Sequence, residues 1–297
     1  MFHRAPPFPT KIGLGHDFYQ YQGANRTDAS LAVQAVFEAG SWQGLDAGLS
    51  RTNNLAADEV GKSWAEDAFT DISNYLGTSG AHVSVVAGNL QLETDPYSED
   101  LFIAQADTIE AGRAAASRKC IQVYQLGNEP YVGASGTHAE LNAQYASRVI
   151  ALGRSIKAKY PTVKLCLPAL GTFRMNTLQD CKDELDSNWA TFVSLFQQHR
   201  GLFDLCAANC YRADHDPVND NTDALIVYAA NALKTNAALL GCSPIITEIG
   251  LHNPDAEELA ATLVAAGTDL PRIIWRVGAG DDFDLIAAGA IEVPATI

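Results

Sequence analysis

The sequence predicts an α/β chain folded as a closed barrel of eight βα units, a (β/α)8 or TIM barrel, in a single domain spanning residues 1–297. Three observations predict it. Short apolar runs alternate with longer periodic segments along the whole chain. The short runs carry Val, Ile, Leu and aromatics, often without clean alternation, which is how strands buried on both faces read. And 297 residues shared among eight units gives about 37 per unit, the usual size of such a repeat. A doubly wound open sheet is the runner-up. Binding a dinucleotide would normally put a Gly-rich turn after its first strand, whereas Gly13-x-Gly15 lies inside the strand itself.

The eight expected strands, in order, are Ile12 to Phe18, Asp46 to Arg51, His82 to Ala87, Ile121 to Leu126, Val163 to Leu167, Phe203 to Tyr211, Pro244 to Ile249 and Ile273 to Val277. Helical patterns fill the gaps. Asp28 to Glu38 and Trp64 to Leu76 each carry spaced apolar residues, and Leu101 to Ala115 follows Asp100. Thr137 with Glu140 reads as a capping box ahead of Leu141, Tyr145, Val149 and Ile156, and Pro161 stops that helix. Trp189 to Phe196 opens the next, and Asp223 to Leu240 follows. Asn253 reads as a cap with Pro254 at the first helical position, and Ala287 falls near the end of a short last element.

Composition narrows the partners. Apolar residues make up 47% of the chain, enough for a sizeable core. Twenty Lys and Arg against 35 Asp and Glu give a formal charge of -15. A phosphate backbone or an anionic membrane surface needs basic clusters, and none is found, so neither nucleic acid nor membrane is expected as a partner. No run approaches the ~18 apolar residues that a membrane span needs. The start, Met1 to Pro9, has no apolar stretch of the signal-peptide kind, and both a secreted and a cytoplasmic location stay open. None of the six cysteines forms a C-x-x-C pair. They read as reduced, small core side chains, with one or two disulfides still allowed by the even count.

In a barrel of this kind the chemistry sits where the strands end at their carboxyl side. The fourth strand ends in Gln125-Leu126-Gly127-Asn128-Glu129-Pro130, and the seventh in Ile246-Thr247-Glu248-Ile249-Gly250. Glu129 and Glu248 are therefore expected to face each other across the mouth. Two carboxylates so placed are what glycoside cleavage needs, one to protonate the leaving oxygen and one to attack the anomeric carbon. Taken singly, a glutamate after a strand is often solvated or caps a helix. His16 and Asp17 end the first strand and Tyr131 follows Glu129, all within reach of sugar hydroxyls. Asn89, Tyr19, Tyr21, His252 and the group Asp214, His215 and Asp216 are weaker candidates, and Asp281, Asp282 and Asp284 lack a full calcium-loop pattern. No H-E-x-x-H, G-x-S-x-G or Walker motif occurs.

Asn128-Glu129-Pro130 resembles the Asn-Glu-Pro at strand four of the clan A glycoside hydrolases, and Thr247-Glu248 resembles that clan's strand-seven nucleophile. The resemblance implies Glu129 as acid/base, Asn128 as partner of the sugar 2-hydroxyl and Glu248 as nucleophile. Tyr211 is similar to the tyrosine that holds the nucleophile, Arg51 to an arginine found beside it, and Trp275 to the aromatic that floors the first subsite. Many members show a histidine two residues before that tyrosine, where this chain has Asn209. The likeness in layout runs from Ile12 to Val277, and no family within the clan is singled out. The expectation is a retaining glycoside hydrolase on a β-linked oligosaccharide or polysaccharide, with no cofactor and no metal. A transglycosylase using the same pair and a non-catalytic carbohydrate-binding barrel are the alternatives.

Overall fold

The computed structural model describes residues 12–16, 49–53, 82–87, 99–115, 120–132, 139–171, 177–211, 222–250 and 270–274. Nine strands are described: β1 Ile12–His16, β2 Leu49–Asn53, β3 His82–Ala87, β4 Cys120–Gln125, β5 Lys164–Cys166, β6 Leu170–Gly171, β7 Leu205–Tyr211, β8 Ser243–Gly250 and β9 Arg272–Ile274. Four helices follow β3, β4, β6 and β7: α1 Glu99–Ala115, α2 Ala143–Lys159, α3 Leu178–Phe196 and α4 Thr222–Leu240. The expected helices at Asp28 to Glu38, at Trp64 to Leu76 and from Asn253 onward lie outside the described residues.

Every described strand pairing is parallel, and the sheet curls. β1 lies between β2 and β9, the order runs on through β3, β4 and β5, and β7 and β8 lead back to β9. β5 also meets β7, through Cys166 and Leu205. The fifth expected strand is thus two short pieces, β5 and β6, parted at Leu167 and Pro168. Proline has no N–H to give the ladder. The edges hold on either side of it: Leu167 N donates to Leu205 O at 2.9 Å and Ala169 N to Gly127 O at 3.3 Å.

Burial sorts the strand residues onto two faces. Val85, Val123, Cys166, Ala169, Leu205, Ala207 and Ile245 form one cluster made of strand and strand-end residues only, on the face enclosed by the curl. Tyr124, Leu126, Leu165, Cys206, Ala208, Cys210, Ile246 and Ile249 join a second cluster with the helices. The alternation is the two-residue period of a strand covered on both sides.

The helices lay apolar stripes on that outer face. α1 opens with Glu99 and Asp100, whose charge suits a helix N-terminus, and Phe102 meets Tyr124 edge-on at 6.0 Å. In α2, Tyr145, Val149, Leu152 and Ile156 are buried at helical spacing. Gly153 lets it approach closely, since a Cβ there would stand 3.3 Å from the side chains of both Leu126 and Leu165. α4 ends in a Schellman turn: Gly241 has φ 74°, Cys242 N donates to Ala237 O at 2.9 Å, and Gly241 N to Ala238 O at 3.2 Å.

Several boundaries differ from expectation. α2 starts at Ala143 with Asn142 as its cap, its side chain accepting from Tyr145 N, later than a box from Thr137 to Glu140 would start it; Thr137 itself lies outside the described residues. Glu140 instead bridges to Tyr131. α3 begins eleven residues before Trp189, capped by Thr177; its first two turns are mostly polar, with Cys181 the buried apolar residue among them, and so carry little apolar signal. The second strand runs on past Arg51 to Asn53, so Arg51 is its middle residue and not its last. Polar Thr52 and Asn53 extend it beyond where an apolar run can be read.

Candidate active site

The site grows from the carboxyl ends of β4, β6, β7 and β8. Beyond β4 the chain stays tied to its neighbour: Leu126 N donates to Cys166 O at 3.0 Å and Glu129 N to Ala169 O at 2.7 Å. Between them Gly127 has φ 155°, and Glu129 has φ 50°. A left-handed backbone at a non-glycine residue costs about 1–3 kcal/mol and survives only where its surroundings over-determine it. Here the backbone bond to Ala169 supplies that constraint, against the bias toward extended backbone that the following Pro130 puts on the residue before it.

Opposite, β8 carries a bulge. Ala208 pairs with Ile246, but the next pair is Asn209 with Glu248, and the register to β9 shifts over the same stretch. Thr247 is the extra residue. Ile245 belongs to the enclosed cluster, while Ile246 and Ile249 pack toward the helices. Strict alternation would put Ile245 and Ile249 on the same face, so the bulge resets the pattern within Thr247-Glu248. Glu248 is 5% exposed and Thr247 fully buried.

Asn209 touches one glutamate and pairs in register with the other. It is fully buried on β7, and by the alternation of Leu205 and Ala207 it faces into the curl. Its Nδ2 donates to Asn128 Oδ1 at 2.9 Å and to Glu129 Oε1 at 2.9 Å. Its Oδ1 accepts from Thr247 Oγ1 at 2.9 Å. Glu248 is its register partner on β8. Gln125 Nε2 supports the same group, donating to Gly127 O at 2.8 Å and to Asn128 Oδ1 at 3.2 Å. Asn128 Oδ1 therefore takes two donors, which fixes its amide orientation.

Of the residues expected from sequence, Asn128, Glu129 and Glu248 are brought together around Asn209. Tyr131 follows two residues on, held through its backbone to Ala139 and Leu141. Val132 N then donates to buried Asn188 Oδ1 on α3 at 2.6 Å. His16 closes β1 opposite Thr52, Arg51 pairs with Gly15 and Val85, and Tyr211 closes β7 opposite Gly250. Asp17, Trp275 and the weaker candidates Asn89, Tyr19, Tyr21, Asp214, His215, Asp216, His252, Asp281, Asp282 and Asp284 lie outside the described residues. Gln125 and Thr247 stand in the strand ends expected at the mouth but with no role expected of either, and Gly171 is not expected at the site at all. The signal for Gln125 and Thr247 was available: each is a polar residue inside an otherwise apolar strand. No group of His, Cys, Asp and Glu fit to hold a metal occurs among the described residues, and no helix there is long and apolar enough to cross a membrane.

No protein-family model matches the chain, and no curated protein matches it. Solved structures do. A β-mannanase from Streptomyces thermolilacinus superposes with a TM-score of 0.57 at 15% identity, over 92% of this chain and 80% of that one. The endo-1,4-β-D-mannanase of Thermotoga petrophila RKU-1 gives 0.56 at 11% identity, over 91% and 89%. A fungal β-1,4-galactanase gives 0.53 at 11% identity, over 79% and 78%. In fold, the chain resembles the clan A glycoside hydrolases. At these identities the likeness is one of fold, and it singles out no family within the clan.

Proposed function

We propose that the chain is a retaining glycoside hydrolase that cleaves β-linked oligosaccharides or polysaccharides. The observation that carries this is the gathering of Asn128-Glu129 and Thr247-Glu248 around one buried amide, Asn209, at the carboxyl ends of parallel strands. In this reading the curled sheet is part of a complete closed (β/α)8 barrel, one catalytic domain over residues 1–297, with its remaining helices outside the described residues. The fold shared with mannanases and a galactanase supports the reading and directs the first substrates to β-linked mannan and galactan.

Glu129 protonates the glycosidic oxygen as the bond breaks, while Glu248 attacks the anomeric carbon and forms a glycosyl-enzyme. Glu129, now ionised, takes a proton from water, which attacks the same carbon and releases Glu248. Asn128 holds the 2-hydroxyl, where contacts strengthen in the transition state. Tyr211 and Arg51 hold Glu248 in place, Trp275 floors the subsite, and His16, Asp17 and Tyr131 bind hydroxyls. No cofactor enters either step.

Incubation with 2-deoxy-2-fluoro glycosides of mannose, galactose and glucose bearing good leaving groups tests this by intact mass and peptide mapping. The expected result is a glycosyl adduct on Glu248, with turnover of the matching polysaccharide. An adduct on another residue, or no adduct and no turnover across the panel, overturns the reading.

A further inference from the structure

The hydrogen bonds of Asn209 assign it more than a packing role. Only one orientation of its amide satisfies every neighbour. As placed, its two N–H groups serve the two acceptors Asn128 Oδ1 and Glu129 Oε1, and its oxygen takes the Thr247 hydroxyl. Turned over, the amide would set oxygen against oxygen at both of the first two positions. Thr247 Oγ1 also lies 3.4 Å from Ala208 O, but its single hydrogen is better placed toward Asn209 at 2.9 Å. The amide does not titrate, so both donors are present at every pH.

We propose that Asn209 is a positioning residue that holds Glu129 Oε1 as the acceptor, so that the proton transferred in catalysis is carried on Oε2. A carboxyl group accepts hydrogen bonds best through its carbonyl oxygen, and a donor fixed on Oε1 makes that atom the carbonyl. Oε2 then carries the hydroxyl. Thr247 locks the orientation from β8, so the strand bearing one glutamate sets the proton position on the other. Gly171 crowds the same oxygen: a Cβ built there would stand 2.9 Å from Oε1. The inference rests on Glu129 being the acid/base of the proposed reaction. Among the described residues, the titratable positions nearest in chain and register are Glu248, paired with Asn209 on β8, Tyr211, two residues on along β7, and Tyr131, two residues past Glu129.

The test pairs kinetics with a readout that needs no turnover. The full-length wild type, Asn209→Ala, Asn209→Asp, Thr247→Val and Thr247→Ser are compared on aryl glycosides with poor and with good leaving groups. Asn209→Ala should lose about 100-fold on poor leaving groups, which need the proton, and less than about threefold on dinitrophenyl glycosides, which do not. Thr247→Val should show the same split more weakly, and Thr247→Ser should regain most of the loss. Equal losses on both classes, or none, overturn the proposal. Alongside, carboxyl-13C NMR follows the titration of Glu129, its signal assigned by loss in Glu129→Gln. Removing a donor from the carboxylate raises its midpoint, by about one pH unit in Asn209→Ala and more in Asn209→Asp, where a like charge is added. An unchanged midpoint in both variants overturns the proposal by itself. If wild type hydrolyses no glycoside while these midpoints still move, the glycosidase reading fails and the hold of Asn209 on Glu129 stands.

Discussion

Gly171, the last residue of β6, and Glu129, four residues past β4, share one space: a Cβ on Gly171 would lie 2.9 Å from Glu129 Oε1, 3.0 Å from its Cγ and 3.1 Å from its Cδ. The atoms met belong to a side chain and not to a strand, so the glutamate yields and the sheet stays. Gly171→Ala should therefore keep the wild-type melting temperature while kcat falls about 100-fold with little change in KM, as expected when a reacting group is misplaced by about 1 Å. Steady-state kinetics and thermal unfolding on the same preparation decide it. A variant with wild-type kcat would show that the carboxyl is not held by this contact.

The backbone at Glu129 gives a second prediction. Its φ of 50° is easy for glycine and strained for any residue with a Cβ. Glu129→Gly and Glu129→Ala both remove the carboxyl and should both lose most turnover. They should differ in stability, with the glycine variant about 1 kcal/mol more stable than the alanine variant. Urea unfolding of the pair measures the difference. Equal stabilities would mean that the left-handed conformation is not imposed by the fold.

Much of the sheet was legible because strands buried on both faces leave apolar runs: His82 to Ala87 was read with its observed ends, and the runs around β4, β7 and β8 to within a residue or two. Glu129 and Glu248 stood out because a charged residue closes or interrupts such a run. What could not be read depends on partners far away in the chain. The bulge at Thr247 appears only in the pairing with β7 and β9, the break at Pro168 only in the gap between β5 and β6, and the crowding at Gly171 only once β4 lies beside it. In sequence Asn209 shows only as a departure from the pattern of the clan it resembles, whereas its two donated bonds are a property of the folded strand ends.

The outer core offers a stability test away from the site. Phe192 on α3 is fully buried, with its ring centroid 5.6 Å from that of Trp189 and 4.7 Å from that of Phe196, which in turn meets Phe203 edge-on at 5.9 Å. This file of rings packs α3 onto the segment leading into β7. Phe192→Ala should cost about 3–5 kcal/mol through lost burial and the cavity left behind. Thermal unfolding should move down by several degrees while KM for whatever glycoside is turned over stays within about twofold. A shift below about 1 kcal/mol would mean that the rings repack without Phe192.

At the opposite end of the strands from the glutamates, Asp204 joins three elements just before β7. Lys164 Nζ donates to it at 2.7 Å, Lys157 Nζ at 3.0 Å and Leu165 N at 3.0 Å. Burial pushes its carboxyl up, but the bonds from Lys164, Leu165 N and Lys157 outweigh burial and hold it below the ordinary range. A carboxyl lowered on folding adds stability that is fully present above its unfolded value, near ~3.9, and is lost as pH falls through the folded value. Asp204→Asn should therefore be less stable than wild type at neutral pH, by on the order of 2 kcal/mol. The gap between the two should narrow as the medium is acidified below about pH 4 and close once Asp204 is protonated in the folded protein. Urea unfolding of both proteins at a series of pH values reads this directly. A gap that stays constant with pH would place the loss in packing and not in the charge of Asp204.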